Sequence, residues 1–189
     1  MSSIAFEAAS AAWAQLAEQA GVPAVSRTSA QHIEWLQRVE TVARCLPALC
    51  HEAINELAEH GTVAEVGGSV RDALADALRI TRGDAARRIE QATDLGPRHT
   101  LTGQPLPPRL EATAASQAAG AISDQHITQI RGFFTRLPHW VDEATRVEAE
   151  HQLAQIAAAY RPDQLKNFAE HLESVLNPDG TFTDADRAR

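Results

Sequence analysis

Apolar residues recur at spacings of three and four through most of this chain, and that period is the period of an α-helix. Residues that favour strands are scarce, whereas alanine, leucine, glutamate, glutamine and arginine dominate the sequence. Glycines and prolines divide the pattern into segments of helical length. The chain is therefore predicted to fold as an all-α bundle of about seven to nine helices.

A corner between two short helices is predicted at the centre of the chain, in Ser69–Asp94. Apolar stripes precede and follow a hinge at Arg79–Thr81, and Thr81 is placed to cap the second helix, with Asp84 three residues later. The outer side of that second helix is expected to carry Arg82, Arg87 and Arg88. This outline is typical of a helix-turn-helix, although an ordinary corner between packed helices has the same pattern.

The chain is predicted to form one helical domain with two parts. Residues 1–66 would contain the N-terminal helices, including a long helix over about 30–59, capped at Ser29 and kinked near Pro47. Residues 67–189 would contain the central corner and the C-terminal helices of the same domain.

Two further segments carry expectations about the chain's organisation. Leu95–Pro108 is rich in proline and glycine and predicts a loop packed through Leu101 and Leu106. Thr183 is placed to cap a last helix, of which the sequence contains only the first residues. The chain is therefore expected to be the front part of something longer.

The charge and the cysteines restrict the classes of function. A net charge of -8 over 189 residues argues against a basic coat for nucleic acid. The only positive third, residues 67–141, has nine arginines against seven acids and contains the central corner. Cys45 and Cys50 cannot form a disulfide framework. With no signal peptide or membrane span in the sequence, a cytoplasmic protein is expected.

No motif in the sequence assembles a catalytic or metal site. Gly67-Gly68 lacks the flanking residues of a phosphate loop, and His51-Glu52 is followed by Asn55 where a zinc protease has its second histidine. Glu148 and His151 form one half of a di-iron motif whose other half is missing. We therefore expect no catalytic residues, cofactor, metal or small-molecule substrate in residues 1–189.

The tryptophans and most of the histidines are given ordinary structural roles. The residues predicted to anchor the core are Trp13, Trp35 and Trp140. The histidines predicted to be solvated are His32, His60, His126, His139 and His171.

Three segments together resemble a known family. They are LADALRITRGDAARRIEQATDLGPR from Leu74, the run from Leu106 to Pro138 with its Ala-Gly-Ala-Ile-Ser turn, and the tail from Tyr160 with Asn-Pro-Asp-Gly. The chain resembles, over roughly residues 30 to 189, the DUF222 domain of the actinobacterial 13E12 repeat proteins. The resemblance implies a helical domain in front of an HNH nuclease, which folds as ββα around a divalent metal. That nuclease domain is absent from this sequence, so its catalytic and metal residues have no counterpart here.

Two hypotheses about function follow. The first is an accessory domain of an HNH-endonuclease-like or mobile-element protein that engages double-stranded DNA. Its candidate contacts are Arg79, Arg82, Arg87, Arg88, Gln91 and Arg98. The second is a structural or protein-interaction domain, a homodimer or regulatory unit, in which those arginines pair with acids of the same chain. Arginines that project together from an exposed helix would favour the first hypothesis, and arginines paired with Asp and Glu would favour the second.

Overall fold

The structure is a computed structural model, and it describes residues 3–20, 28–61, 67–100 and 102–178. In these ranges the chain forms nine helices and one pair of two-residue strands. The helices are α1 (Ser3–Ala20), α2 (Ser29–Cys45), α3 (Ala48–His60), α4 (Val70–Leu78), α5 (Arg82–Leu95), α6 (Glu111–Ala118), α7 (Asp124–Arg136), α8 (Glu143–Ala159) and α9 (Pro162–Leu176). The predicted all-α class is confirmed.

The segment predicted as one long helix is divided at Leu46-Pro47 into α2 and α3. Pro47 cannot donate a backbone hydrogen bond, and it stands at the N-cap of α3. The start of α2 differs from the prediction, because the cap is Thr28 and not Ser29. The Thr28 hydroxyl accepts from the Gln31 amide at 3.3 Å, and the Gln31 side chain accepts from the Thr28 amide at 2.8 Å.

The Pro- and Gly-rich stretch after α5 is more regular than the predicted loop. The strands β1 (Arg98–His99) and β2 (Pro105–Leu106) pair antiparallel, with Arg98 opposite Leu106. Leu106 is exposed. Leu101, expected to pack inside this loop, lies outside the described residues, as does the helix predicted from Thr183.

The largest apolar core joins the C-terminal helices, and we call it the C-terminal core. On α7, Ile127, Ile130 and Phe133 are fully buried at spacings of three, which place them on one side of the helix. Leu153 of α8 and Leu165 of α9 close over them. The other buried members are Leu95, Leu110, Ile122, Leu137, Val141, Ala149, Ala157 and Ala169.

A smaller core packs the central corner against α3. It consists of Ile54 of α3, Leu74 and Ala75 of α4, and Ala85 and Ala92 of α5. The two alanines of α5 are fully buried, and their small side chains let α3 approach α5 closely. One side of the central corner is thus buried in the packed interior of the protein.

The N-terminal helix pair, α1 with α2, is packed much less completely. Among the described side chains of α1 only Leu16 is buried, and α2 has no buried residue. Thr41 of α2 meets the turn between α6 and α7, where Gly120 adopts a φ of 69° and a side chain would overlap the Thr41 carbonyl oxygen. The Arg44 guanidinium donates to the Ala121 carbonyl at 3.4 Å beside it.

Several predicted core positions are exposed instead. Trp13 and Trp140, predicted as anchors, are 61% and 43% exposed. The helical period also predicts buried side chains at seven further positions, which are instead 41% to 60% exposed: Phe6, Ile33, Leu36, Leu46, Val147, Phe168 and Val175. In the described part of the chain, no helix is long and apolar enough to cross a membrane.

Candidate functional site

The central corner forms because each of its helices has a capping side chain. The Ser69 hydroxyl accepts from the Asp72 amide at 3.1 Å, and the Thr81 hydroxyl accepts from the Asp84 amide at 3.1 Å, as predicted for Thr81. Between the helices, Arg79 adopts the left-handed conformation with a φ of 54° and ends α4. Arg79 is exposed and makes no ion pair or hydrogen bond through its side chain within the described residues.

The three arginines of α5, Arg82, Arg87 and Arg88, are each paired with a carboxylate. Arg82 contacts Asp72 at 2.8 Å, although its side chain is 75% exposed. Arg88 donates through Nε to Asp84 at 3.0 Å, and Arg87 donates to the other oxygen of the same carboxylate. The hydrogen bond from Arg87, with the positive charges of both arginines, lowers the pKa of Asp84 although partial burial opposes the shift.

Arg87 and Gln91 connect α5 to α7 rather than facing solvent. The Asp124 carboxylate at the start of α7 accepts from Arg87 Nη1 at 2.6 Å and from Gln91 Nε2 at 2.6 Å. Gln91 is only 2% exposed. Further along the same two helices, Arg131 of α7 donates to Asp94 of α5 at 2.6 Å. The expectation that Arg87 lies on the outer side is therefore wrong, because it faces α7. Arg88 pairs with Asp84 of its own helix, and both arginine side chains are half-buried.

Arg98 lies apart from the other candidate residues, in β1. Its Nε donates to the Pro107 carbonyl at 2.9 Å, which connects β1 to the residue that follows β2. It also lines a cleft of about 600 Å³, whose other lining residues include Arg131 of α7 and Arg146 and Glu150 of α8. The structure does not bring Arg98 together with the arginines of the corner.

A second cleft, of about 340 Å³, opens where α2 and α3 meet α5 and α7, and we call it the corner cleft. Its apolar side consists of Ala43, Leu46, Pro47 and Ile54, and Cys50 and His51 belong to the same wall. The opposite wall is the hydrogen-bonded group of Arg87, Arg88, Gln91 and Asp124. The break at Pro47 thus creates a concave surface with one apolar and one charged side.

His51 is buried in the wall of the corner cleft. Its Nε2 lies 2.8 Å from the Gln117 side-chain oxygen, which assigns the proton to Nε2 and leaves Nδ1 as an acceptor. Nδ1 is buried and has no hydrogen-bond partner among the described residues. Burial lowers the pKa of His51, with the Gln117 hydrogen bond opposing the shift, so the neutral ring is favoured.

Glu150 is one of the buried polar residues that the sequence pattern does not predict. Glu150 of α8 accepts from the Ala112 amide at 3.2 Å and from the Thr113 amide and hydroxyl at 2.6 Å and 2.5 Å, so it caps α6 from another helix. Residue spacing within one helix does not predict a hydrogen bond between two residues that are 37 positions apart.

His126, predicted to be solvated, is also buried. Its Nδ1 accepts from the Ser123 amide at 3.0 Å, and its Nε2 donates to the Tyr160 carbonyl at 2.9 Å. Burial lowers the pKa of His126. The spacing of three between Ser123 and His126, which matches a capping box, is the signal that could have shown it. In the described ranges, no three side chains of His, Cys, Asp or Glu converge on a possible metal site.

Comparison with known proteins places the chain in a family. The model of DUF222, described as a domain of unknown function, matches residues 33–189. The uncharacterized protein Rv1128c of Mycobacterium tuberculosis is 49% identical over 162 residues, which cover 86% of this chain and 36% of that protein. The uncharacterized protein Mb1179c of Mycobacterium bovis is 47% identical with the same coverage.

A further uncharacterized protein of Mycobacterium tuberculosis, MT1741Mb1728c, is 53% identical over 154 residues, 82% of this chain and 34% of that protein. This chain thus spans about a third of the length of these relatives. No solved structure matches it. The match over most of the sequence shows that the chain belongs to the DUF222 family.

Proposed function

We propose that this chain is a helical protein-interaction domain that associates with a second copy of itself through the N-terminal helix pair. The observation that carries the proposal is the exposure of four large apolar side chains there. Phe6 is 59% exposed, Trp13 61%, Ile33 59% and Leu36 58%. We call these four residues the N-terminal apolar face.

Their spacing groups these side chains on each helix. Phe6 and Trp13 are seven residues apart, and Ile33 and Leu36 are three apart, so each pair lies on one side of its helix. Full burial of a side chain of this size contributes about 1.5–3 kcal/mol relative to exposure. Covering the exposed part of four such side chains therefore supplies a substantial driving force for association, and aromatic anchors are common at the centre of interfaces.

A second copy suits this face in size and charge. An 18-residue helix is roughly 27 Å long, and a two-helix surface is roughly 20 Å wide. Two such surfaces bury on the order of 1,000 Å², the lower bound for a specific interface. The charges of α2 are balanced within the helix by Glu34–Arg38 at 2.5 Å and Glu40–Arg44 at 2.9 Å. Two copies can therefore meet along α2 without net repulsion from that helix, and the charged side chains of α1 are Glu7 and Glu18.

The charges of the central corner support the same proposal. Arg82, Arg87 and Arg88 are each paired with a carboxylate of the chain, which is the arrangement expected for a structural role. Phosphate contacts would have to compete with Asp84 and Asp124 for the half-buried pairs.

Sedimentation equilibrium of the 189-residue chain tests the proposal. The wild type is expected to dimerise reversibly, and Leu36→Asp is expected to shift the equilibrium to the monomer because it places a charge in the apolar face. Val175→Asp is the matched control, since Val175 is 60% exposed on α9, outside this face. A wild type that stays monomeric at high concentration, or a dimer that Leu36→Asp leaves intact, contradicts the proposal.

The second candidate function is the DNA-engaging accessory domain that the family resemblance implies, together with the 13E12 grouping and an adjoining HNH nuclease. The observation in its favour is Arg79, which is exposed at the corner without an ion pair in the described part of the chain. Arg82 adds to it, because an exposed single pair such as Arg82–Asp72 is worth only about 0–1 kcal/mol and can exchange for a phosphate.

A duplex-DNA titration at low and moderate salt separates the two candidates. DNA engagement predicts salt-sensitive binding that Arg79→Ala/Arg82→Ala weakens strongly and Arg87→Ala/Arg88→Ala weakens further. Absence of binding, or binding that neither double variant changes, eliminates this second candidate.

A further inference from the structure

The corner cleft has the features of a binding site for a small ligand, and none of its lining residues belongs to the N-terminal apolar face. Its volume of about 340 Å³ is within the range of small-molecule sites. It combines an apolar wall with a few convergent polar groups, which is the usual composition of such sites.

The polar wall is held in place before any ligand arrives. Both terminal nitrogens of Arg87 are engaged, by Asp124 and Gln91 on one side and Asp84 on the other. Arg88 is fixed differently, because only its Nε donates to Asp84, at 3.0 Å. Its two terminal nitrogens have no hydrogen-bond partner within the described residues. They form a fork that matches the two oxygens of a carboxylate.

A second, independent group in the same cleft lacks a partner. His51 is 4% exposed, and its Nδ1 accepts no hydrogen bond from the described residues. A buried acceptor without a donor is costly, by an amount comparable to a lost hydrogen bond. Because Nε2 is already committed to Gln117, the missing partner has to be a donor such as an amide N–H or a hydroxyl.

We propose that the corner cleft binds a small apolar carboxylate that also carries a hydrogen-bond donor. The carboxylate pairs with the free fork of Arg88, the donor serves Nδ1 of His51, and the apolar part packs on Leu46, Pro47 and Ile54. An N-acylated apolar amino acid and the C-terminal residue of a peptide share this chemistry. The proposal does not rest on self-association, since it uses none of the residues of the N-terminal apolar face.

N-acetyl-leucine is the probe for this site, with N-acetyl-leucinamide as the control compound that lacks the carboxylate. Saturable binding with a Kd on the order of 1 mM is expected for a ligand of this size. The amide is expected to bind at least about tenfold more weakly because it cannot form the charged fork. A peptide ending in a free leucine, compared with its amidated form, shows whether further residues add affinity and so which source of this chemistry is preferred.

Three variants locate the binding. Arg88→Gln is expected to weaken N-acetyl-leucine at least about tenfold through loss of the fork. Ala43→Trp is expected to abolish binding by filling the cleft, and Ala43 is exposed, so the fold tolerates the larger side chain. Arg79→Gln, on the same corner but outside the cleft, is expected to leave the Kd unchanged.

Two readouts report the site directly. The ¹⁵N resonance of His51 Nδ1 is expected to shift on saturation. Cys50 lines the cleft, so at a ligand concentration five times Kd its alkylation by iodoacetamide is expected to slow about sixfold by mass action. Absence of saturable binding, binding that survives Ala43→Trp, or binding that leaves both His51 and Cys50 unaffected would overturn the proposal.

Discussion

The N-terminal helix pair and the C-terminal core have similar sequence patterns and opposite surroundings. On α2, Ile33 and Leu36 repeat at the spacing that Ile127, Ile130 and Phe133 show on α7. The first two are more than half exposed, and the other three are fully buried. The difference arises because α8 and α9 cover one side of α7, whereas α2 has such a neighbour on only part of its surface. An apolar stripe therefore indicates a helix surface that other apolar residues cover, and those residues can belong to another molecule.

The largest contrast between the two regions is expected from removal of an aromatic ring. Phe133→Ala is expected to lower the free energy of unfolding by about 4 kcal/mol, because it leaves a cavity in the C-terminal core. Trp13→Ala removes a ring that is mostly in solvent and is expected to cost the monomer less than about 1 kcal/mol. Urea unfolding at low protein concentration measures both, and equal losses would contradict the division into a packed and an unpacked region.

A pair of glycines tests how α2 is attached to the remainder. Gly120→Ala is expected to cost about 3 kcal/mol, since its φ of 69° disfavours a side chain and the new carbon would overlap Thr41. Gly103→Ala is the matched control, with a φ of 80° and no atom within 4 Å of the new carbon, and about 1 kcal/mol is expected. If urea unfolding shows the same loss in the free energy of unfolding for both variants, Thr41 of α2 is not in close contact with this turn.

The next largest effect on the free energy of unfolding is expected from the Glu150 carboxylate of α8. Glu150→Gln is expected to destabilise the fold by about 2 kcal/mol, because the amide nitrogen would face a backbone donor of α6 that the carboxylate now satisfies. Glu148→Gln, on the exposed side of the same helix, is expected to cost less than about 0.5 kcal/mol. Thermal unfolding of the two variants side by side provides the measurement, and similar midpoints would remove the capping role.

The smallest effect is a dependence of stability on pH. Burial lowers the pKa of both His51 and His126, so the unfolded chain binds more protons than the folded chain at pH values below the ordinary histidine pKa of about 6.5. Stability is therefore expected to be complete above that pH and to fall as the pH decreases through it. Urea unfolding at a series of pH values checks the slope, which His126→Gln should reduce, and stability that rises on acidification between pH 7 and pH 5 would be inconsistent with neutral, buried rings.

The part of this structure that is encoded locally could be predicted from the sequence. The helical class, the cap at Thr81 and the break at Pro47 depend on residues within one or two turns of each other. Which side of a helix is buried depends on the residues that pack against it. Those residues are distant in the sequence, and helical spacing does not identify them. For this reason the helical spacing predicts Trp13 in the core and Arg87 at the surface, whereas Trp13 is 61% exposed and Arg87 is half-buried and paired with Asp124.

The candidate site shows the same limit more strongly. The arginines of the corner were identifiable, but Asp124, which decides their role, lies more than thirty residues away. In the sequence, His51 belongs only to an incomplete zinc-protease motif that has Asn55 in place of the second histidine. Its position in the wall of the corner cleft depends on the hydrogen bond to Gln117 of α6. Both contacts join residues that are distant in the sequence, so residue spacing does not predict them.

Hydrogen exchange at two protein concentrations tests the central claim, that the N-terminal apolar face is completed by a second copy while the C-terminal core is complete by itself. Between about 1 μM and about 100 μM, amides of α2 are expected to become more protected, and amides of α7 are expected to exchange equally slowly at both concentrations. Leu36→Asp should remove the concentration dependence of α2 and leave α7 unchanged. Protection of α2 that is independent of concentration, or as strong as that of α7 in the dilute sample, would contradict the claim.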